Sequence, residues 1–127
     1  MSNTINLAGC ELNGEFPFMN AAGSVNGYGV ENFMNDFKDV ARAPGAAIMI
    51  GSVTLSPREG NEAVHGGPVY RHISDTGLTY NSMGLPNLGI DRITALLPDL
   101  KWIAADNDKK LAVSLAPMSS NPGAEWV

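Results

Sequence analysis

The side chains best suited to chemistry gather in two loop-like stretches, Arg58-Glu59-Gly60-Asn61 and Asn81-Ser82-Met83-Gly84-Leu85-Pro86-Asn87. An asparagine amide offers a donor and an acceptor together, so Asn81 and Asn87 can read the amide edge of a ring such as a pyrimidinedione. Glycine between them leaves backbone N–H groups open to a carboxylate. The pattern suits a small, polar, cyclic ligand, and it is equally that of a plain Asn/Gly turn. Two small-residue junctions accompany it. Ala21-Ala22-Gly23 lets a planar ring approach the backbone closely, and Gly51-Ser52 adds backbone donors and a hydroxyl, unless both are only tight turns that need small residues.

Other reactive types carry weaker signals. Cys10 is the single cysteine, which excludes an internal disulfide and any multi-cysteine metal site and fits a reducing compartment. It reads as an inert packed thiol. His65 and His72 have no nearby cysteine or paired carboxylates and read as loop residues, so no metal site is expected. Gly27-Tyr28-Gly29 lacks the third glycine and the context of a dinucleotide fingerprint.

These loops need a frame, and the hydrophobic pattern supplies one. Residues 5–16 alternate loosely and read as a β-hairpin turning at Asn13-Gly14, a lid or plug. Phe18 to Gly23 reads as a short buried strand. Val30, Phe33, Met34, Phe37, Val40 and Ala41 recur at three and four, the stripe of a helix that Pro44-Gly45 ends. Ala46 to Ile50 is a continuous apolar run, as in a parallel strand buried on both faces. Residues 54–88 form a long connection rich in Gly, Pro, Asn and Ser, a length that points to function. A helix starts near Gly89 and restarts at Pro98, and Leu111 to Ala116 is a third strand. Trp102 and Trp126 read as helix-packing residues. Ser119-Ser120-Asn121-Pro122 is a helix-start signal.

Strand, helix and parallel strand in repetition leave a doubly wound sheet or a closed (β/α)8 barrel, with ligands at the C-terminal ends of the strands in either case. Loops 21–29, 51–88 and 117–121 occupy that place. A barrel needs about 250 residues, so the 127 residues are expected to be one incomplete barrel domain with an N-terminal hairpin. An open parallel edge after the third strand would favour self-association, and a homo-oligomer is expected. A net charge of −5 and a pI of about 4.8 argue against a nucleic-acid partner. The one adjacent basic pair, Lys109-Lys110, reads as a solvated element end. No signal peptide or long apolar run is evident, so a cytoplasmic protein without membrane association is expected.

Thr54 to Asn61 (TLSPREGN), Asn81 to Gly89 (NSMGLPNLG) and Met19 to Gly23 (MNAAG) resemble the N-terminal part of dihydroorotate dehydrogenases, most of all the soluble class 1 branch. The resemblance runs in order and spacing over nearly the whole chain. It implies an α/β (β/α)8 TIM barrel, FMN as cofactor, and oxidation of dihydroorotate to orotate in pyrimidine biosynthesis. It also implies that Ala21, Ala22, Gly23 and Ser52 line the FMN, that Asn81, Met83, Gly84 and Leu85 hold the pyrimidine-type substrate, and that the base lies beyond Val127.

Class 1 members carry a lysine where this chain has Gly51, and class 2 members carry one near the position of Asn26. Neither lysine is present, and Arg58 is the candidate replacement cation. Two other readings remain open. One is a dihydropyrimidine dehydrogenase-like flavoprotein with a nicotinamide-linked partner, and the other is a non-catalytic barrel fragment that self-associates.

Overall fold

The computed structural model describes residues 3–7, 9–14, 16–25 and 29–119. Their elements run β1 (Asn3–Leu7), β2 (Cys10–Gly14), α1 (Val30–Arg42), β3 (Ala47–Val53), α2 (Asn61–His65), β4 (Tyr70–Ile73), β5 (Leu78–Asn81), α3 (Ile90–Asp106) and β6 (Lys110–Leu115). The fold is mixed α/β. Strands β3 and β6 pair in parallel, Ala47 opposite Lys110 through Ile50 opposite Val113, with an irregularity before Val53 meets Leu115. Met19 makes a parallel bridge to Ala47 on the sheet's other side.

The strand expected over Phe18 to Gly23 is thus a single bridge. Its place is completed by the Asn20 side chain, whose Oδ1 accepts from Met49 N at 2.8 Å and whose Nδ2 donates to Met49 O at 2.7 Å. An amide side chain here imitates the next rung of a ladder, because it presents one donor and one acceptor just as a peptide does.

Helices α1 and α3 cover one face of this sheet. The α1 stripe buries Phe33, Phe37 and Ala41 against Ile48, Ile50 and Val53 of β3, and Ile93, Leu100 and Ala104 of α3 close the cluster. Each fully buried Phe, Ile or Leu contributes roughly 1.5–3 kcal/mol. That sum, rather than helix propensity, holds α1 in place. Helix α3 runs unbroken through Pro98 instead of restarting there. Thr94 and Pro98 both face solvent, so water can serve the carbonyl that a proline leaves without its N–H partner. Trp102 does not pack as expected: it lies on the outer face and is 68% exposed.

The hairpin β1–β2 plugs the N-terminal end of β3, where Leu12 joins Met19, Ala46 and Ala47 in a second apolar cluster. Its register pairs Leu7 with Cys10, so the chain reverses through Gly9, just before Cys10, and not at Asn13-Gly14. Gly9 N donates to Asn6 Oδ1 at 3.0 Å, a turn-stabilising bond that wins over the Asn-Gly signal. Cys10 is exposed, which corrects the packed-thiol reading. Leu12 is the hairpin residue that joins the apolar cluster of Ala46 and Ala47, and Cys10 lies at the turn end of the hairpin.

The basic pair splits. Lys110 is exposed, whereas Lys109 is buried and its Nζ donates to Ala43 O and, at 3.3 Å, to Val40 O. It therefore caps the carbonyl end of α1, where a cation meets the negative end of the helix dipole. Burial pushes the Lys109 pKa below the ordinary lysine value.

The 54–88 connection is more ordered than its composition implies. It holds the single-turn helix α2 and the hairpin β4–β5, in which Tyr70 pairs with Asn81 and Ile73 with Leu78. No helix among the described residues is long and apolar enough to cross a membrane. The helix start expected at Asn121-Pro122, Trp126, and Asn26 to Tyr28 lie outside the described residues.

Candidate functional site

At the C-terminal ends of the parallel segments lies a cleft of about 500 Å³ lined by Ala22, Gly23, Ser24, Ser52 and the run Asn81 to Pro86. Three separate pieces of sequence converge there. Ala21 is exposed and does not line it, but its carbonyl accepts from Ser24 N at 3.3 Å and Ser24 Oγ at 3.0 Å. This turn is what presents Ala22 and Gly23 to the cleft. The turn is tied to β3 because Gly23 N donates to Gly51 O at 2.5 Å.

Ser52 sits at the end of β3, with its Oγ 3.4 Å from Ser114 Oγ on β6. Ser114 belongs to this neighbourhood and was not singled out from sequence; the usable signal is its place near the end of a strand parallel to β3. The peptide between Gly51 and Ser52 is cis, and Gly51 has φ +120°. A Cβ at position 51 would lie 2.5 Å from Ser114 O and 3.0 Å from Val53 N. The backbone therefore has no place for a side chain where class 1 members carry lysine, so the substitution and the local fold go together.

The two asparagines of the 81–87 run differ sharply. Asn87 is 7% exposed and every hydrogen-bonding position of its amide is used. Oδ1 accepts from Thr54 N at 3.1 Å and Gly89 N at 2.8 Å. Nδ2 donates to Thr54 Oγ1 at 2.9 Å and Leu85 O at 2.8 Å. It is a brace between the two motifs and has no capacity left to read a ligand, which corrects that expectation. Asn81 is exposed at the cleft, and its side-chain amide makes no hydrogen bond among the described residues.

Met83, Gly84 and Leu85 follow with backbone N–H groups that likewise donate to no acceptor among the described residues. Gly84 has φ +76° and Leu85 φ +53°, so the chain turns sharply and successive N–H groups are left for a ligand oxygen. Leucine in the left-handed region costs about 1–2 kcal/mol. Neighbouring bonds hold the strained run: Arg58 Nε donates to Gly84 O at 2.9 Å, and Arg58 and Asn87 exchange backbone N–H···O bonds of 2.9 Å each.

Arg58 thus touches the run through the Gly84 carbonyl. It lines a separate cleft of about 590 Å³ with Glu59 and Arg92, and not the one lined by Asn81. Arg58 is thus not among the residues that line the Asn81 cleft, which it reaches only through the carbonyl of Gly84. His65 and His72 are exposed and lie outside the 500 Å³ cleft, and His72 Nδ1 pairs with Thr79 Oγ1 at 2.9 Å. Among the described residues no group of three His, Cys, Asp or Glu could hold a metal.

Comparison with known proteins agrees with the motifs. The family described as Dihydroorotate dehydrogenase matches residues 4–121. The chain is 32% identical, over 130 aligned positions covering all of it, to the Trypanosoma brucei brucei protein named Dihydroorotate dehydrogenase (fumarate). It is 45% identical over 56 residues, 44% of its length, to the Methanopyrus kandleri protein named Dihydroorotate dehydrogenase B (NAD(+)), catalytic subunit. The chain spans 36% of the first relative and the match spans 16% of the second. With the family match extending over the hairpin, the turn at 21–24 and both halves of the braced loop, the chain belongs to the dihydroorotate dehydrogenase family.

Proposed function

We propose that the protein is an FMN-dependent oxidoreductase that oxidises dihydroorotate to orotate in pyrimidine biosynthesis, and that ring and cofactor meet in the 500 Å³ cleft. The observation that carries this reading is the convergence there of Ala22, Gly23 and Ser52 with Asn81, Met83, Gly84 and Leu85. The hairpin and the parallel β3–β6 pair are, in this reading, the first part of a (β/α)8 barrel, with the cleft at its C-terminal face.

The residues present fit a flavin and a small ring. The volume lies in the range of small-molecule sites. Ala22 and Gly23 carry too little side chain to block a planar system, and Ser52 offers a hydroxyl at its edge. FMN would supply the electron acceptor, taking a hydride from the dihydropyrimidine ring. The chain's own groups bind and orient: the Asn81 amide pairs with the ring's amide edge, and the N–H groups of Met83, Gly84 and Leu85 face its carboxylate. Among the described residues lining this cleft there is no carboxylate, imidazole or thiol, and the reading gives these residues the task of holding the ring. The relatives' names carry fumarate and NAD(+), and the reading assigns neither as acceptor.

The test is anaerobic mixing of the flavin-loaded protein with dihydroorotate or dihydrouracil while the visible flavin absorbance is followed. Bleaching by dihydroorotate is expected. Bleaching by dihydrouracil alone would move the reading to a dihydropyrimidine dehydrogenase-like reaction, and no bleaching by either would overturn it.

A further inference from the structure

Asn61 opens α2, and its side chain turns back onto the ligand-facing run instead of toward solvent. Its Nδ2 donates to Ser82 O at 2.8 Å and to Ser82 Oγ at 3.0 Å. Its backbone N–H donates to Met83 O at 2.9 Å. Its Oδ1 lies 2.5 Å from where a Cβ of residue 84 would stand, so only glycine fits there beside it. One residue thus touches three consecutive members of the run, Ser82, Met83 and Gly84, each through a different atom. The run has a reason to need such a contact. Gly84 and Leu85 occupy the left-handed region, and the hairpin's backbone pairing ends with Ser82 N donating to Val69 O at 2.7 Å, so no strand ladder among the described residues fixes Met83 to Leu85.

We infer that Asn61 is a positioning residue of the ligand-binding segment, working beside the Arg58 bond to Gly84 O to fix Ser82 to Leu85 in the conformation that turns the N–H groups of Met83 to Leu85 into the cleft. Asn61 does not line the cleft itself, and it acts through Ser82, Met83 and Gly84. The inference deepens the reading of this cleft as the dihydroorotate site and rests on it for the identity of the ligand. Aspartate at position 61 keeps the shape but replaces the donor with an oxygen facing Ser82 O, so the contact becomes repulsive. Losing a hydrogen bond of this kind corresponds to about tenfold in an equilibrium constant.

The experiment compares the flavin-loaded protein with Asn61→Asp and the milder Ser82→Ala, which removes only the 3.0 Å contact. Hydrogen–deuterium exchange of peptides covering 81–85 is measured without ligand, and orotate affinity is read from the perturbation of the flavin spectrum. Asn61→Asp is expected to speed exchange in 81–85 and weaken orotate about tenfold, with flavin content and exchange in β3 and α1 unchanged. Ser82→Ala should act in the same direction by roughly two- to fivefold. Faster exchange spread through β3 and α1, or orotate affinity within twofold of wild type for Asn61→Asp, overturns the inference. If the wild type does not bind orotate while 81–85 still loosens in Asn61→Asp, the positioning role stands and the substrate reading fails.

Discussion

Replacing Asn87 by alanine removes four hydrogen bonds at once from a residue that is only 7% exposed. Thr54 N and Gly89 N lose their acceptor, and Thr54 is itself 1% exposed. Leu85 is 37% exposed, so water can replace its lost donor. Thr54 Oγ1 keeps its 2.6 Å bond to Ser56 O. Two buried N–H groups therefore go unsatisfied, at about 1–3 kcal/mol each. Partial entry of water reduces the sum, and a destabilisation of about 2–4 kcal/mol is expected.

Denaturant unfolding of the purified protein, followed by far-ultraviolet circular dichroism, measures it directly. Asn87→Asp sharpens the test. It keeps both acceptors but sets a carboxylate oxygen against Leu85 O and Thr54 Oγ1, so protonation is favoured in the folded state and the folded pKa is raised. The folded state then binds more protons than the unfolded one above the ordinary aspartate range, and stability falls as pH rises through that window. Asn87→Asp should thus recover stability on acidification, while Asn87→Ala does not. A loss below about 0.5 kcal/mol for Asn87→Ala, within the range of an ordinary surface substitution, would refute the brace.

Asn81→Ala should show the opposite balance, with stability within about 0.5 kcal/mol of wild type and a KM for dihydroorotate raised about tenfold, checked by steady-state kinetics beside an unfolding curve. Gly51→Ala places a Cβ 2.5 Å from Ser114 O at φ +120°, and a loss of about 1–3 kcal/mol follows from backbone strain alone, measurable by the same unfolding assay. Lys109→Met leaves Val40 O and Ala43 O without their donor and should cost about 1–3 kcal/mol near neutral pH. Because burial lowers the Lys109 pKa, the unfolded state binds more protons as pH approaches the ordinary lysine value of 10.5 from below. The wild-type protein should therefore gain stability with pH across that window relative to Lys109→Met, and parallel pH profiles would contradict the assignment.

The elements that bury a face were legible in the sequence. Phe33, Phe37 and Ala41 mark α1, and the apolar run from Ala46 marks β3, because burial of one stripe or both faces imposes a period on the residue types. Hairpin β4–β5 escaped that logic. All of its residues are exposed except half-buried Ile73, so no alternation exists to be read, and only Ser74-Asp75-Thr76-Gly77 between β-prone residues hints at the turn.

The site was legible by motif and not by role. Asn81 and Asn87 are the same residue type six positions apart, and nothing in composition says that one is buried against Thr54 and the other exposed at the cleft. Asn20 and Lys109 were missed for a related reason. Each satisfies backbone groups of an element far away in sequence, a partner that local pattern does not contain.

The central claim is that ligand and cofactor meet in the cleft of Ala22, Ser52 and Asn81 to Leu85. Its most direct test is a crystal structure of the flavin-loaded protein with orotate. Orotate density contacting the Asn81 amide and the N–H groups of Met83 to Leu85, with the flavin against Ala22 and Ser52, is the predicted result. Orotate seated in the cleft of Arg58 and Arg92, or density absent from the Asn81 cleft at saturating orotate, would contradict it.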